Sequence, residues 1–60
     1  MSAKRKLEQA LSAVENALRA VRRAKDSAPD DENIRRAVRE LHDAESFIGR
    51  AITEVRRLES

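Results

Sequence analysis

Three side chains in this 60-residue sequence could form one polar cluster: Glu15, His42 and Glu45. Glu45 stands in a stripe of aliphatic residues, in a core layer that it shares with Val14. His42 lies three residues earlier on the same helical face, and an antiparallel register places Glu15 opposite His42. A buried unpaired carboxylate is costly, so Glu45 would protonate or find a partner. We interpret the cluster as a polar layer that fixes register at an interface.

Metal binding is an alternative reading of this cluster. A His-x-x-Glu sequence with a second Glu is similar in kind to the carboxylate-rich metal sites of helical bundles. However, the sequence has only one His, and Val14 lies beside the cluster. These residues together make a poor ligand set. We therefore predict no metal and no cofactor. Because a close-packed bundle offers no substrate pocket, we also expect no small-molecule substrate and no enzymatic activity.

A second chemical feature is a concentration of arginine near the middle of the sequence. Arg binds phosphate through paired hydrogen bonds, so these residues form a candidate nucleic-acid interface. Its members are Arg19, Arg22, Arg23, Arg35, Arg36 and Arg39. The alternative is a solvated surface of ion pairs at i,i+4 spacing. Those pairs would be Glu15–Arg19, Glu32–Arg36, Arg36–Glu40, Arg39–Asp43 and Arg50–Glu54.

Long helices must position these side chains, because the apolar residues follow a helical spacing throughout. Alanines recur every seven residues beside a stripe of Leu, Ile and Val. The ladders are Ala3, Ala10, Ala17 and Ala24, followed by Ala37, Ala44 and Ala51. A composition that is 40% charged, with one Gly and one Pro, is typical of long helices.

Pro29 and the acidic residues around it predict a turn in the middle of the chain. Pro29 disfavours helical dihedral angles at Ala28, and the following acids suit the start of a new helix. We predict a first helix over about residues 2–26 with Ser2 as its N-cap. A turn at about 27–30 and a second helix over about 30–58 complete one domain, residues 1–60. A short connection makes the two helices an antiparallel hairpin.

The antiparallel register predicts that the alanine ladders meet within the hairpin and bring the helix axes close together. The expected pairs are Ala24 with Ala37, Ala17 with Ala44, and Ala10 with Ala51. Gly49 costs its helix about 1 kcal/mol relative to Ala, so we expect a close helix approach there. We expect Phe47 to pack over Ala10, Ala13 or a partner helix, with contact to another protein or a base as the alternative.

The chain is too short to bury a large core alone, and it has no Cys. Ala13, Ala20 and Phe47 widen the apolar surface so that each helix should contact two neighbours. We therefore predict a homodimer of hairpins, an all-α four-helix bundle, and leave open whether the turns lie at the same or opposite ends. No apolar run is long enough for a membrane span, so a cytoplasmic location is expected.

The hairpin pattern, the short acidic turn and the tripeptide Leu41-His42-Asp43 resemble the plasmid Rop (repressor of primer) family. The resemblance implies a homodimeric antiparallel four-helix bundle that binds paired RNA loops. The RNA-binding face of that family lies on the first helix and uses an aromatic residue among polar and Lys residues. Here the corresponding edge carries Ala13, Ala17, Ala24 and Gln9, so any nucleic-acid contact would use Arg19, Arg22 and Arg23.

Two functions remain as expectations. The first is an interaction or structural module that associates with itself and engages a protein partner. The second is a Rop-like regulator that binds RNA or another nucleic acid.

Overall fold

The computed structural model describes residues 2–59, which form two α-helices packed against each other as an antiparallel hairpin. Helix α1 spans Ala3–Ser27 and helix α2 spans Glu32–Glu59. Helices of these lengths extend about 38 and 42 Å. The molecule measures 45 × 16 × 11 Å, so the helices lie side by side over their whole length. The prediction of an all-α helical hairpin is confirmed.

Helix α1 begins with the N-cap that the sequence predicts. The Ser2 side chain is outside the helix in an extended conformation, and its Oγ accepts a hydrogen bond from the Arg5 backbone N–H at 3.1 Å. This bond satisfies one of the N–H groups that have no partner within the helix. The first turn of α1 contains no acidic residue, so its basic side chains oppose the helix dipole.

A tight turn over residues 28–31 reverses the chain. The Asp31 N–H donates to the Ala28 carbonyl at 3.1 Å, with Pro29 at the second turn position, where its fixed φ is favourable. The Asp31 carboxylate then caps α2, accepting from the N–H groups of Asn33 at 2.9 Å and Ile34 at 3.1 Å. Helix α2 therefore starts at Glu32, two residues later than predicted, because Asp31 is the cap and Pro29 and Asp30 belong to the turn.

The core between the helices is small. Only Leu18 (4% exposed) and Ile52 (7% exposed) are buried among the described residues. The rest of the predicted apolar stripe is half-buried. Its members are Leu7, Leu11, Val14, Val21, Ile34, Val38, Leu41, Ile48 and Val55.

The two alanine ladders are unequally covered. Ala37, Ala44 and Ala51 of α2 are half-buried, whereas the ladder of α1 is exposed from Ala3 to Ala24. The prediction that both alanine ladders are covered within the hairpin is therefore wrong. Helix α1 is rotated so that Glu15, on the other side of its apolar stripe, is half-buried instead.

Neither helix has, within the described residues, a stretch that is long and apolar enough to cross a lipid bilayer.

Candidate interaction surface

A polar cluster joins the two helices near the middle of α2. The Arg22 Nη2 atom of α1 lies 2.6 Å from His42 Nε2 of α2. Because a guanidinium can only donate, Nε2 is the acceptor and the ring proton lies on Nδ1. Nδ1 is 3.8 Å from Glu45 Oε1, an electrostatic contact longer than a hydrogen bond. The cluster therefore runs Arg22, His42, Glu45 and connects α1 to α2.

The structure brings together two of the three residues predicted for this cluster. His42 and Glu45 are in contact, but Glu15 has no ion pair among the described residues. Arg22 takes the place expected for Glu15, because its long side chain reaches His42 across the helix interface. Glu45 keeps 34% of its side chain exposed beside the half-buried Val14, so the hairpin alone does not bury its carboxylate.

The cluster does not have the form of a metal site. Within residues 2–59, no three His, Asp or Glu side chains converge on a common point. The Arg22 guanidinium also occupies His42 Nε2, which is therefore not available to bind a metal ion. His42 is 49% exposed, and the part of the chain that the structure describes contains no cavity beside it.

The six arginines of the candidate nucleic-acid interface are all exposed. Arg22 donates to His42, and Arg19 donates to Asn16 Oδ1. None of the six forms an ion pair with a carboxylate of the described residues. The predicted i,i+4 pairs are therefore not formed. Glu54, expected to pair with Arg50, instead accepts from Arg57 at 3.3 Å.

One side of the hairpin is apolar and exposed. Phe47 is 62% exposed and Leu58 is 78% exposed, and both belong to α2. The Arg50 guanidinium lies over the Phe47 ring, 5.1 Å from its centroid, in a cation–π contact. Phe47 is thus not packed over Ala10 or Ala13 within the hairpin.

We call this surface the apolar flank, and it is built from both helices. Its members on α1 are Ala10, Ala13, Ala17, Ala20 and Ala24, and those on α2 are Ala44, Phe47, Ala51 and Leu58.

Gly49 lies on the opposite side of α2 from the apolar flank. A Cβ atom built on Gly49 would meet nothing within 4 Å. The expected close helix approach at this position is therefore wrong for the hairpin, and the glycine is not required there by packing.

Sequence reasoning missed three features of these surfaces: the Arg22–His42 contact, the Arg50–Phe47 contact and the exposure of Leu58. Only Leu58 carried a signal, because it follows Ala51 by seven residues and continues that ladder. Arg50 follows Phe47 by three residues, a spacing that allows contact without singling it out. Comparisons with models of known protein families, with curated proteins and with solved structures gave no match.

Proposed function

We propose that this chain is a non-enzymatic interaction module that works as a homodimer, with two hairpins forming a four-helix bundle. The observation that carries the proposal is the small core: only Leu18 and Ile52 are buried among the described residues. Small domains need a disulfide, a metal or association to be stable. The sequence has no Cys, and no metal-binding group is found in residues 2–59. Association with a second copy would complete burial of the half-buried stripe, leaving the charged surfaces for a protein partner.

Sedimentation equilibrium at micromolar concentration tests this proposal. We expect a mass of twice 6.8 kDa together with a helical circular dichroism spectrum. A folded monomer of 6.8 kDa at every concentration would refute it.

A second candidate function is binding of RNA or another nucleic acid through the arginine cluster. The observation that favours it is the absence, in the described residues, of carboxylate partners for Arg23, Arg35, Arg36 and Arg39, all of which are exposed. Side chains free of carboxylates can bind phosphates without first breaking ion pairs. The resemblance to the Rop family also implies RNA binding, but these arginines differ from the residues of the RNA-binding face of that family.

Fluorescence anisotropy with structured RNA and duplex DNA at two salt concentrations tests the second candidate. Phosphate contacts make affinity fall steeply with salt, and losing one such contact lowers the slope of log K against log salt by about 1. We expect that change for Arg23→Gln and Arg36→Gln. Arg5→Gln, at the other end of the hairpin, is the matched control. No binding at low salt would remove this function.

A further inference from the structure

The two large apolar side chains that are exposed on the described hairpin belong to one stripe of α2. Phe47 and Leu58 are separated by eleven residues, which is about three helical turns, so they project from the same side. Ala44 lies three residues before Phe47, and Ala51 lies four residues after it. These spacings extend the stripe along the helix. The α2 part of the apolar flank therefore carries large side chains that nothing in the hairpin covers.

The α1 part of the apolar flank is a row of small side chains. Its alanines follow one another at intervals of three and four residues and are all exposed. Ala17 directly precedes the buried Leu18, as Ala51 directly precedes the buried Ile52. In a pair of antiparallel helices, the residues that directly precede buried seam residues lie on the same side of the seam on both helices. The large residues of α2 and the small residues of α1 thus form one continuous surface.

The exposed area of the hairpin indicates how much surface is available for association. The chain exposes 4682 Å². A compact protein of 6.8 kDa exposes about 4,000 Å². The excess of about 700 Å² is close to the roughly 800 Å² that each partner buries in a stable interface. An interface of that size with one second copy would bring the exposed area of each hairpin to that of a compact protein of its mass.

Building on the proposed homodimer, we propose that the second copy covers the apolar flank with both turns at the same end of the bundle. A two-fold axis parallel to the helices then places α2 of each copy against α1 of the other. Residues at the same height along the bundle then meet, so Phe47 faces Ala13 of the partner copy, and Leu58 faces Ala3 of the partner copy, an exposed alanine just beyond the end of the apolar flank. A large side chain meets a small one at both of these contacts. Phe47 lies near the midpoint of α2 and is stacked with Arg50, and both residue types are enriched at the centres of interfaces.

Charge at the edge of the apolar flank supports this orientation. Glu40 and Glu54 lie seven residues before and after Phe47, on the same stripe. With turns at the same end, Glu54 lies level with Lys6 of the partner copy, an attractive pair. With turns at opposite ends and Phe47 on the two-fold axis, α2 would lie along α2, and Glu40 would face Glu54 of the partner copy twice. Like charges placed opposite each other disfavour that arrangement.

A distance measurement between the two turns tests the orientation. The chain has no Cys, so Asp30→Cys gives one attachment site for a spin label in each turn. Neighbouring helices lie 8–10 Å apart, so we expect labels within about 25 Å of each other when the turns share an end. Label distances near the 45 Å length of the hairpin would overturn the orientation.

A pair of variants tests the surface itself. Ala13→Glu buries a carboxylate in the apolar flank, and we expect the dimer dissociation constant to rise by at least about tenfold. Ser12→Glu, an exposed position on the other side of α1, should leave it nearly unchanged. Circular dichroism at high protein concentration checks that both variants still fold. Dissociation caused by Ser12→Glu and not by Ala13→Glu would overturn the assignment of this surface.

The same experiments separate failure of this inference from failure of the homodimer. A wild-type chain that sediments as a folded monomer overturns both. A wild-type dimer with distant turn labels, or one that is insensitive to Ala13→Glu, overturns only the surface or orientation.

Discussion

Gly49 lies in the interior of α2, where a glycine lowers the stability of the helix. Glycine in a helix interior costs about 1 kcal/mol relative to Ala because it loses more conformational freedom on folding. A Cβ atom at this position meets nothing within 4 Å. We therefore expect Gly49→Ala to raise the free energy of unfolding by about 1 kcal/mol in urea denaturation. A loss of stability would mean that another chain packs against Gly49.

Leu18 is the most deeply buried side chain described, at 4% exposure. Truncating a buried leucine removes its transfer free energy and leaves a cavity, which together cost about 2–5 kcal/mol. This cost is a large fraction of the stability of a small domain. We expect Leu18→Ala to lower the melting temperature and the helical signal strongly, as measured by circular dichroism. A loss below about 1 kcal/mol would contradict the burial of this residue.

At the scale of the elements, α2 depends on Asp31 for its first turn. The Asp31 carboxylate accepts from the N–H groups of Asn33 and Ile34. Replacing such a cap by Ala costs about 1 kcal/mol. We expect this loss for Asp31→Ala in urea denaturation. Asp30→Ala, which leaves the cap in place, is the matched control, and an equal loss in both variants would contradict the assignment of the cap.

Helix α1 lacks a favourable charge at its N-terminus. Its first turn contains no acidic residue, whereas α2 has Glu32 in its first turn and Arg56 and Arg57 in its last. An acid near a helix N-terminus stabilises it by about 0.3–1 kcal/mol at low salt. We expect Arg5→Glu to raise the melting temperature in low salt. The gain should shrink at about 1 M salt, where charges are screened within roughly 3 Å, and a gain independent of salt would contradict this cause.

For the whole molecule, folding and association should be measurable as one process. A partner that binds only the folded chain stabilises it by mass action, so the melting temperature rises with protein concentration. We expect that rise for the wild-type chain and a smaller one for Ala13→Glu. A melting temperature that stays constant over a hundredfold range of about 1–100 μM would contradict a dimer coupled to folding.

Both helices and the turn can be predicted from the sequence, because their causes are local. Ser2, Pro29 and the helical spacing of the apolar residues each act within a few residues of their own position. The sequence predicts the start of α2 two residues too early, since Pro29, Asp30 and Asp31 could each begin a helix. The capping bonds show that Asp31 does so, because its carboxylate accepts from the N–H groups of Asn33 and Ile34.

The faces that are covered and the long side chains that meet depend on how the two helices pack against each other. The rotation of α1 about its axis leaves its alanine ladder exposed, and that rotation depends on the packing of both helices together. Arg22 meets His42, and Arg50 covers Phe47, because long flexible side chains select partners in space. The sequence therefore predicts the polar cluster only in part, because it indicates His42 and Glu45 but not Arg22.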